Sequence, residues 1–165
     1  MNANAKKSNA GHIEARVAAL RARCSECGLR FTPQRQEIYR EMARACDHPS
    51  AETLHKRIAR RMPAMTLDTV YRTLGTFEAM GLIERVAAVG NSARFEANLA
   101  PHHHFVCKRC GSILDVPPGR FEPSEFTGDL PDGSLLHSAR IDMRGICSQC
   151  ARSSASHRKP ARLIE

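Results

Sequence analysis

Four cysteines in two C-x-x-C pairs, Cys107-Lys108-Arg109-Cys110 and Cys147-Ser148-Gln149-Cys150, stand 36 residues apart. Two such knuckles suit one tetrahedral Zn2+ bound by four thiolates at about 2.3 Å. Gly111 follows the first pair at once and lets the chain turn, so that backbone N–H groups approach the sulfurs. All four positions would be filled by protein, which leaves no place for water and makes such an ion structural rather than catalytic. The alternative is two redox dithiols or unrelated buried thiols; paired knuckles at domain-like spacing favour zinc. A third pair, Cys24 and Cys27, has no partner pair nearby. Its spacing also fits adjacent turns of a helix, so partly buried thiols are expected there before a redox or metal role. The seventh cysteine, Cys46, is expected in the core.

A second set carries nitrogen and oxygen donors. In Pro101-His102-His103-His104-Phe105, an extended backbone places His102 and His104 on one face and turns His103 away. Glu96 lies six residues before His102, Asp115 lies just beyond the first knuckle, and His48 sits in an Asp-His-Pro break. Such donors suit Fe2+, Mn2+ or Zn2+. An ion held from both sides of a domain junction would fix the angle between domains, which is a ready switch. Taken singly, His48 and Glu96 are ordinary surface residues, and a histidine run can be idle.

The elements that must position these groups are legible in part. Ile13, Val17, Leu20 and Cys24 recur three or four apart from His12 onward, and Gly28 ends that helix. Thr32-Pro33, Ser50 and Thr66 each supply an N-cap before an apolar-periodic run, with stops at Asp47-His48-Pro49, Met62-Pro63 and Gly81. The last two of these helices are joined by about four residues and read as helix-turn-helix. Leu82–Ala88 and Ala93–Ala97 flank Gly90-Asn91-Ser92, a hairpin that makes the wing of a winged helix. After Pro101 the pattern turns β, with strands at Phe105-Val106, Ile113–Val116 and Leu135–Met143. Between them, residues 117–133 hold four Pro and three Gly, which limits any helix to about Glu122–Leu130.

Charge follows the same division. The net +8 is concentrated in residues 1–75, with 14 Lys and Arg against 7 Asp and Glu. A basic N-terminal half favours a polyanionic partner, most simply nucleic acid. No run approaches the length needed to span a membrane, and the first ten residues lack a signal-peptide core. A cytoplasmic protein with no membrane partner is therefore expected.

The segments Gly28-Leu-Arg-Phe-Thr-Pro-Gln-Arg35, His48-Pro-Ser-Ala-Glu52, Thr69-Val-Tyr-Arg-Thr-Leu74, Gly81-Leu-Ile83, Ala93-Arg-Phe-Glu96 and His102-His-His-Phe-Val-Cys-Lys-Arg-Cys-Gly111 together resemble the ferric-uptake-regulator family in order and spacing. The resemblance implies an α+β homodimeric repressor with an N-terminal winged helix and a small C-terminal α/β dimerisation domain. It implies structural Zn2+ on Cys107, Cys110, Cys147 and Cys150. It also implies a regulatory Fe2+ or Mn2+ on His48, Glu96, His102, His104 and Asp115, which closes the dimer onto palindromic operator DNA. Thr69, Tyr71 and Arg72 match the recognition helix. Arg72 suits a guanine and Tyr71 a thymine methyl, while Arg30 matches a position that reaches the backbone or minor groove. Of a further metal site known in the iron and zinc branches, His103 and Glu122 remain. Pro101 and Ala139 replace ligands, and His137 lies two residues out of register. Asp115 matches the peroxide-sensing branch; Glu96 leans mildly to the other branches.

The expected layout is a disordered tail over 1–11, the winged helix over 12–97, a hinge over 98–101, the zinc-stapled domain over 102–151 and a flexible basic tail over 152–165. The expected function is metal-dependent repression that senses peroxide through iron-catalysed oxidation of a ligand histidine, with no enzymatic activity. The rivals are an iron- or zinc-responsive repressor with no redox step, a structural zinc or protein-binding module, and a metal-dependent hydrolase. The last has no H-E-x-x-H and no nucleophile motif behind it, and it leaves the basic half unexplained.

Overall fold

A computed structural model describes residues 3–89, 92–119, 134 and 141–155. They divide into two compact units, Met1–Leu99 and Ala100–Glu165. The first holds helices α1 (Ala3–Glu26), α2 (Pro33–Arg44), α3 (Ala51–Ala59) and α4 (Leu67–Ala79), followed by strands β1 (Glu84–Val89) and β2 (Ser92–Glu96). The second holds β3 (His103–Cys107), β4 (Ile113–Val116), β5 (Asp142–Gly145) and α5 (Ser148–Ala155).

In the first unit, side chains close the helix starts as the cap residues predict. Thr32, Ser50 and Thr66 accept from the N–H groups of Arg35, Thr53 and Thr69 at 3.3, 3.3 and 3.2 Å, and Pro33 opens α2 where a missing N–H costs nothing. Gly28, at φ 64°, ends the turn after α1. The apolar stripes meet in one core: Leu20, Ile38, Leu54, Ile58, Leu74 and Phe77 are fully buried, and Tyr39 meets Phe77 edge to face at 5.6 Å. Arg40 bridges Glu14 of α1 and Glu37 of α2. β1 and β2 pair antiparallel, Arg85 opposite Phe95, and Phe95 and Ala97 turn inward to the helices.

Several expectations need correction. Residues 3–10, expected in a disordered tail, belong to α1. Nothing in Ala3–Ala10 breaks a helix, so one anchored by Ile13, Val17 and Leu20 extends through them without a new nucleus. Cys46 is exposed rather than in the core, because α2 ends at Arg44 and its inward stripe stops with it. The hairpin strands are offset by one or two residues from the expected bounds. α5 runs to Ala155, into the expected C-terminal tail.

In the second unit the strand order is β4-β3-β5, with β4 antiparallel and β5 parallel to the central β3. The helix expected over Glu122–Leu130 and the strand expected over 135–140 lie outside the described residues, as do Glu122 and His137. Among the described residues, no helix is long and apolar enough to cross a membrane.

Candidate metal centres and nucleic-acid interface

The cysteine knuckles arise from how β3 and β5 end. β3 delivers Cys107, and the chain turns through Gly111 at φ 72° so that the Cys107 N–H reaches the Ser112 carbonyl at 2.9 Å. β5 delivers Cys147, and the first turn of α5 brings Cys150. The four Sγ atoms all lie within 4.8 Å of one another, and Cys110 and Cys147 are 3.8 Å apart. The edge of a tetrahedron with bonds of 2.3 Å is about 3.8 Å, so the donors fit Zn2+. The Cys147 N–H donates to Cys107 Sγ at 3.3 Å and the Cys150 N–H to Cys147 Sγ at 3.5 Å. Arg109 ties the knuckles by donating to the Cys150 carbonyl at 2.9 Å. Backbone N–H groups of Cys110 and Cys147 pull the Cys107 thiol down to about 6, and the Ser112 hydroxyl lowers Cys110. Burial, then the neighbouring thiols, push Cys150 up to about 12. Sulfurs this close ionise together only around a cation.

In the first unit, His48 and Glu96 form a buried pair, with Nε2 3.4 Å from Oε2 and side chains 3% and 4% exposed. His48 is the one non-glycine residue at positive φ among the described residues, at 47°, and it precedes Pro49. Such a conformation costs about 1–3 kcal/mol and persists only where its surroundings impose it. Here β2 imposes it. The Phe95 N–H donates to the Pro49 carbonyl at 3.1 Å, and Arg94 Nη1 donates to the His48 carbonyl at 3.4 Å. The strand that carries Glu96 is therefore sewn to the loop that carries His48.

In the second unit, His102, His104 and Asp115 gather at β3 and β4. His102 Nδ1 meets the Ala100 carbonyl at 2.7 Å. A carbonyl only accepts, so Nδ1 is the donor in that bond. The Nε2 atoms of His102 and His104 are 3.0 Å apart, the spacing of two nitrogens bound side by side to one ion at about 2.1 Å. Asp115 Oδ1 lies 3.8 and 4.0 Å from these two nitrogens. His103 points to the other face of β3, is buried, and accepts the Ile141 N–H on Nδ1 at 3.4 Å.

α4 buries Val70, Thr73, Leu74 and Phe77 and turns Tyr71 and Arg72 outward. Tyr71 is 46% exposed, although it is one of only two tyrosines. Its hydroxyl donates to Glu52 of α3. That bond, followed by one from Ser50, holds the Glu52 carboxyl down to about 2. Arg30, Thr69 and Arg72 line a cavity of about 270 Å3 together with Thr32, Gln34, Arg35, Thr73 and Thr76. Three guanidinium groups among hydroxyls suit phosphate oxygens. Arg35, Gln34 and Thr76 escaped the sequence reading; their signal was position alone, the first turn of α2 for Gln34 and Arg35 and the later part of α4 for Thr76.

Comparison with known proteins agrees with this anatomy. The profile of the Ferric uptake regulator family matches residues 26–123. A peroxide-responsive repressor, PerR, of Staphylococcus epidermidis is 30% identical over 139 residues, covering 84% of this chain and 89% of that protein. The ferric uptake regulator Fur of Helicobacter pylori shares the fold at TM-score 0.68 and 23% identity, over 84% of this chain and 93% of that one. A zinc uptake regulator solved with zinc and DNA aligns at TM-score 0.61 and 25% identity, over 87% of this chain and 97% of that one.

Proposed function

Because this chain belongs to the ferric uptake regulator family, we propose that it is a dimeric, metal-dependent repressor that binds palindromic operator DNA and releases it on exposure to peroxide. Cys107, Cys110, Cys147 and Cys150 hold the structural Zn2+ in this reading. The pair His48 and Glu96 and the trio His102, His104 and Asp115 act as two halves of one regulatory site for Fe2+ or Mn2+, one half on each unit. The observation that carries the reading is the pair of imidazole Nε2 atoms 3.0 Å apart beside a carboxylate. Two imidazole nitrogens and a carboxylate gathered in this way form a donor set that suits such a cation.

An ion that needs ligands from both units makes their relative arrangement depend on metal, and with it the spacing of two recognition helices in a dimer. In each copy Arg72 and Tyr71 read base edges, Thr69 assists at the start of α4, and Arg30 and Arg35 neutralise phosphates. Cytoplasmic residence goes with this role. Ferrous iron, held by these residues, would supply one-electron chemistry that cleaves the O–O bond of hydrogen peroxide, and would recover what it gives as the ring, the net two-electron donor, is oxidised. What the chain supplies is His48 or His102, whose ring takes one oxygen in place of hydrogen while the other oxygen leaves as water. An imidazole altered in this way is a poor ligand, so the halves part.

Asp115, together with a relative named for its peroxide response, supports the redox reading. Glu96, together with the zinc uptake regulator among the solved relatives, supports the second reading, a repressor that reports metal level alone. One experiment separates them. The protein is loaded with Fe2+ without oxygen, given limiting peroxide, and mapped by peptide mass spectrometry. Oxygen on His48 or His102, absent from a Mn2+-loaded control, is the expected result. Clean histidines with operator binding that still follows metal would select the second reading. Loss of metal-dependent operator binding is expected in both His48→Ala and His102→Ala; retained affinity in both would overturn the metal switch.

A further inference from the structure

We infer that Cys24 and Cys27 close a reversible disulfide under hydrogen peroxide, and that this bond displaces the DNA-contacting residue Arg30. The thiol chemistry stands by itself; its consequence at DNA rests on the repressor reading above. Cys24 lies in the last turn of α1 and Cys27 directly follows that helix. Three residues along a helix put two Cα atoms about 5 Å apart, inside the window of roughly 4.4–6.8 Å for bridged cysteines. The chain leaves α1 through a left-handed turn. Gly28, at φ 64°, donates its N–H to the Ser25 carbonyl at 3.2 Å, and Leu29 donates to the Cys24 carbonyl at 2.8 Å. Two such bonds close a helix C-terminus around one glycine. Cys27 is exposed, whereas Cys24 is fully buried. Burial pushes the Cys24 thiol up, while the Arg35 guanidinium draws it down and the Cys27 sulfur pushes it up. Both groups therefore lie near enough to act on its charge.

Peroxide meets the exposed thiol first. The Cys27 sulfur attacks one peroxide oxygen, the O–O bond breaks, and the products are a Cys27 sulfenic acid and water. The Cys24 sulfur then attacks the Cys27 sulfur, the S–O bond breaks, and the hydroxyl leaves with the Cys24 proton as a second water. Two electrons have passed from the thiol pair to one peroxide, and a thiol reductant reverses the bond. Cβ atoms three residues apart on a helix are separated by about 5–6 Å, and a disulfide needs about 3.5–4.5 Å. Closing it must draw Cys27 toward Cys24 and distort the turn between them. The bond from Leu29 to the Cys24 carbonyl spans that same turn, and Leu29 packs against the helical core. Arg30 is the next residue. It lines the arginine-rich cavity, and its carbonyl accepts from the Arg35 guanidinium, so a displaced turn disturbs both cations.

The test uses full-length, zinc-loaded protein with Mn2+ rather than Fe2+, so that iron chemistry plays no part. Wild type, Cys27→Ser, Cys24→Ala and Cys46→Ser are given limiting hydrogen peroxide, and the remaining thiols are blocked in denaturant. Trypsin releases Cys24–Arg30 as one peptide that holds both cysteines. In wild type and in Cys46→Ser this peptide should lose two hydrogens, regained with dithiothreitol, and amide exchange at Leu29 should quicken. Affinity for a duplex selected from a random pool by the reduced protein should fall about tenfold, the loss of a single arginine contact. Cys27→Ser and Cys24→Ala should keep their affinity at the same dose. A fully blocked 24–30 peptide in peroxide-treated wild type overturns the inference. So does a disulfide that leaves Leu29 exchange unchanged, or an affinity loss that persists in Cys27→Ser. Zinc release with oxidation of Cys107, Cys110, Cys147 or Cys150 ahead of the 24–30 peptide also overturns it. A reduced protein that selects no duplex would instead sink the repressor reading, while the disulfide and the faster Leu29 exchange would leave the thiol switch standing.

Discussion

Tyr71 donates its hydroxyl to Glu52 across the α3–α4 junction, and two residues from the start of α3 that bond has a measurable electrostatic signature. The Glu52 carboxyl, ordinarily near 4.5, is held at about 2, first by Tyr71 and then by Ser50. A folded value below the unfolded one stabilises the fold at pH above about 4.5, and that contribution fades as pH falls toward about 2. Tyr71→Phe removes the larger cause, so Glu52 should titrate closer to 4.5 in the variant. Side-chain carboxyl carbon shifts followed against pH measure this directly. An unmoved Glu52 would show that Tyr71 is not its partner and that the ring is held by packing alone. At this scale the sequence was clear about donor types and silent about pairs. Tyr71 and Arg72 were legible as outward residues because Val70 and Leu74 claim the inner face. Glu52 as the partner of Tyr71 was not, since the contact joins residues 19 apart in sequence through a turn whose angle no local signal specifies.

Elements were readable where their ends carry chemistry. Thr32, Ser50 and Thr66 cap α2, α3 and α4 as expected, because a side-chain oxygen at the first turn satisfies N–H groups that have no other partner. The start of α1 carries no such signal, so it was misplaced. The parallel pairing of β3 with β5 is equally invisible locally, yet it brings Cys147 to Cys107. Glycines mark how tightly it closes. A Cβ on Gly145 would meet the Phe105 ring at 2.9 Å, so Gly145→Ala must push β5 from β3 or swing the ring. The expected cost is about 1–3 kcal/mol, with faster zinc release to a chromogenic chelator. Gly75 is the control. A Cβ there meets nothing within 4 Å, and alanine in an exposed helix interior should stabilise α4 by about 0.5–1 kcal/mol, with zinc release unchanged. Equal zinc release from wild type and Gly145→Ala would mean that the β3–β5 contact does not position the knuckles.

Over the whole molecule the two units differ in what holds them together. The first buries a helical core around Leu20, Ile38, Leu54, Leu74 and Phe77. Among the described residues of the second, the buried apolar side chains are Val106, Cys107, Ile113 and Cys147, and two of these are ligands in the proposed zinc site. With ligand sulfurs forming half of that buried apolar set, the metal's binding energy becomes folding energy there. Removal of zinc by a strong chelator should therefore unfold the second unit and leave the first. Far-ultraviolet circular dichroism should keep most of its helical signal, while amide cross-peaks of residues 103–107 and 142–145 collapse into the random-coil range. The same treatment of Cys107→Ser should change nothing further, since its site is already broken. The paired spacing of the four cysteines made this dependence legible in sequence, because both knuckles are local motifs. The nitrogen and oxygen donors are dispersed over His48 to Asp115 and were legible as a set only through family resemblance. Simultaneous loss of both units on chelation would refute the separation, and it would mean that the helical core relies on the zinc-stapled unit for its own stability.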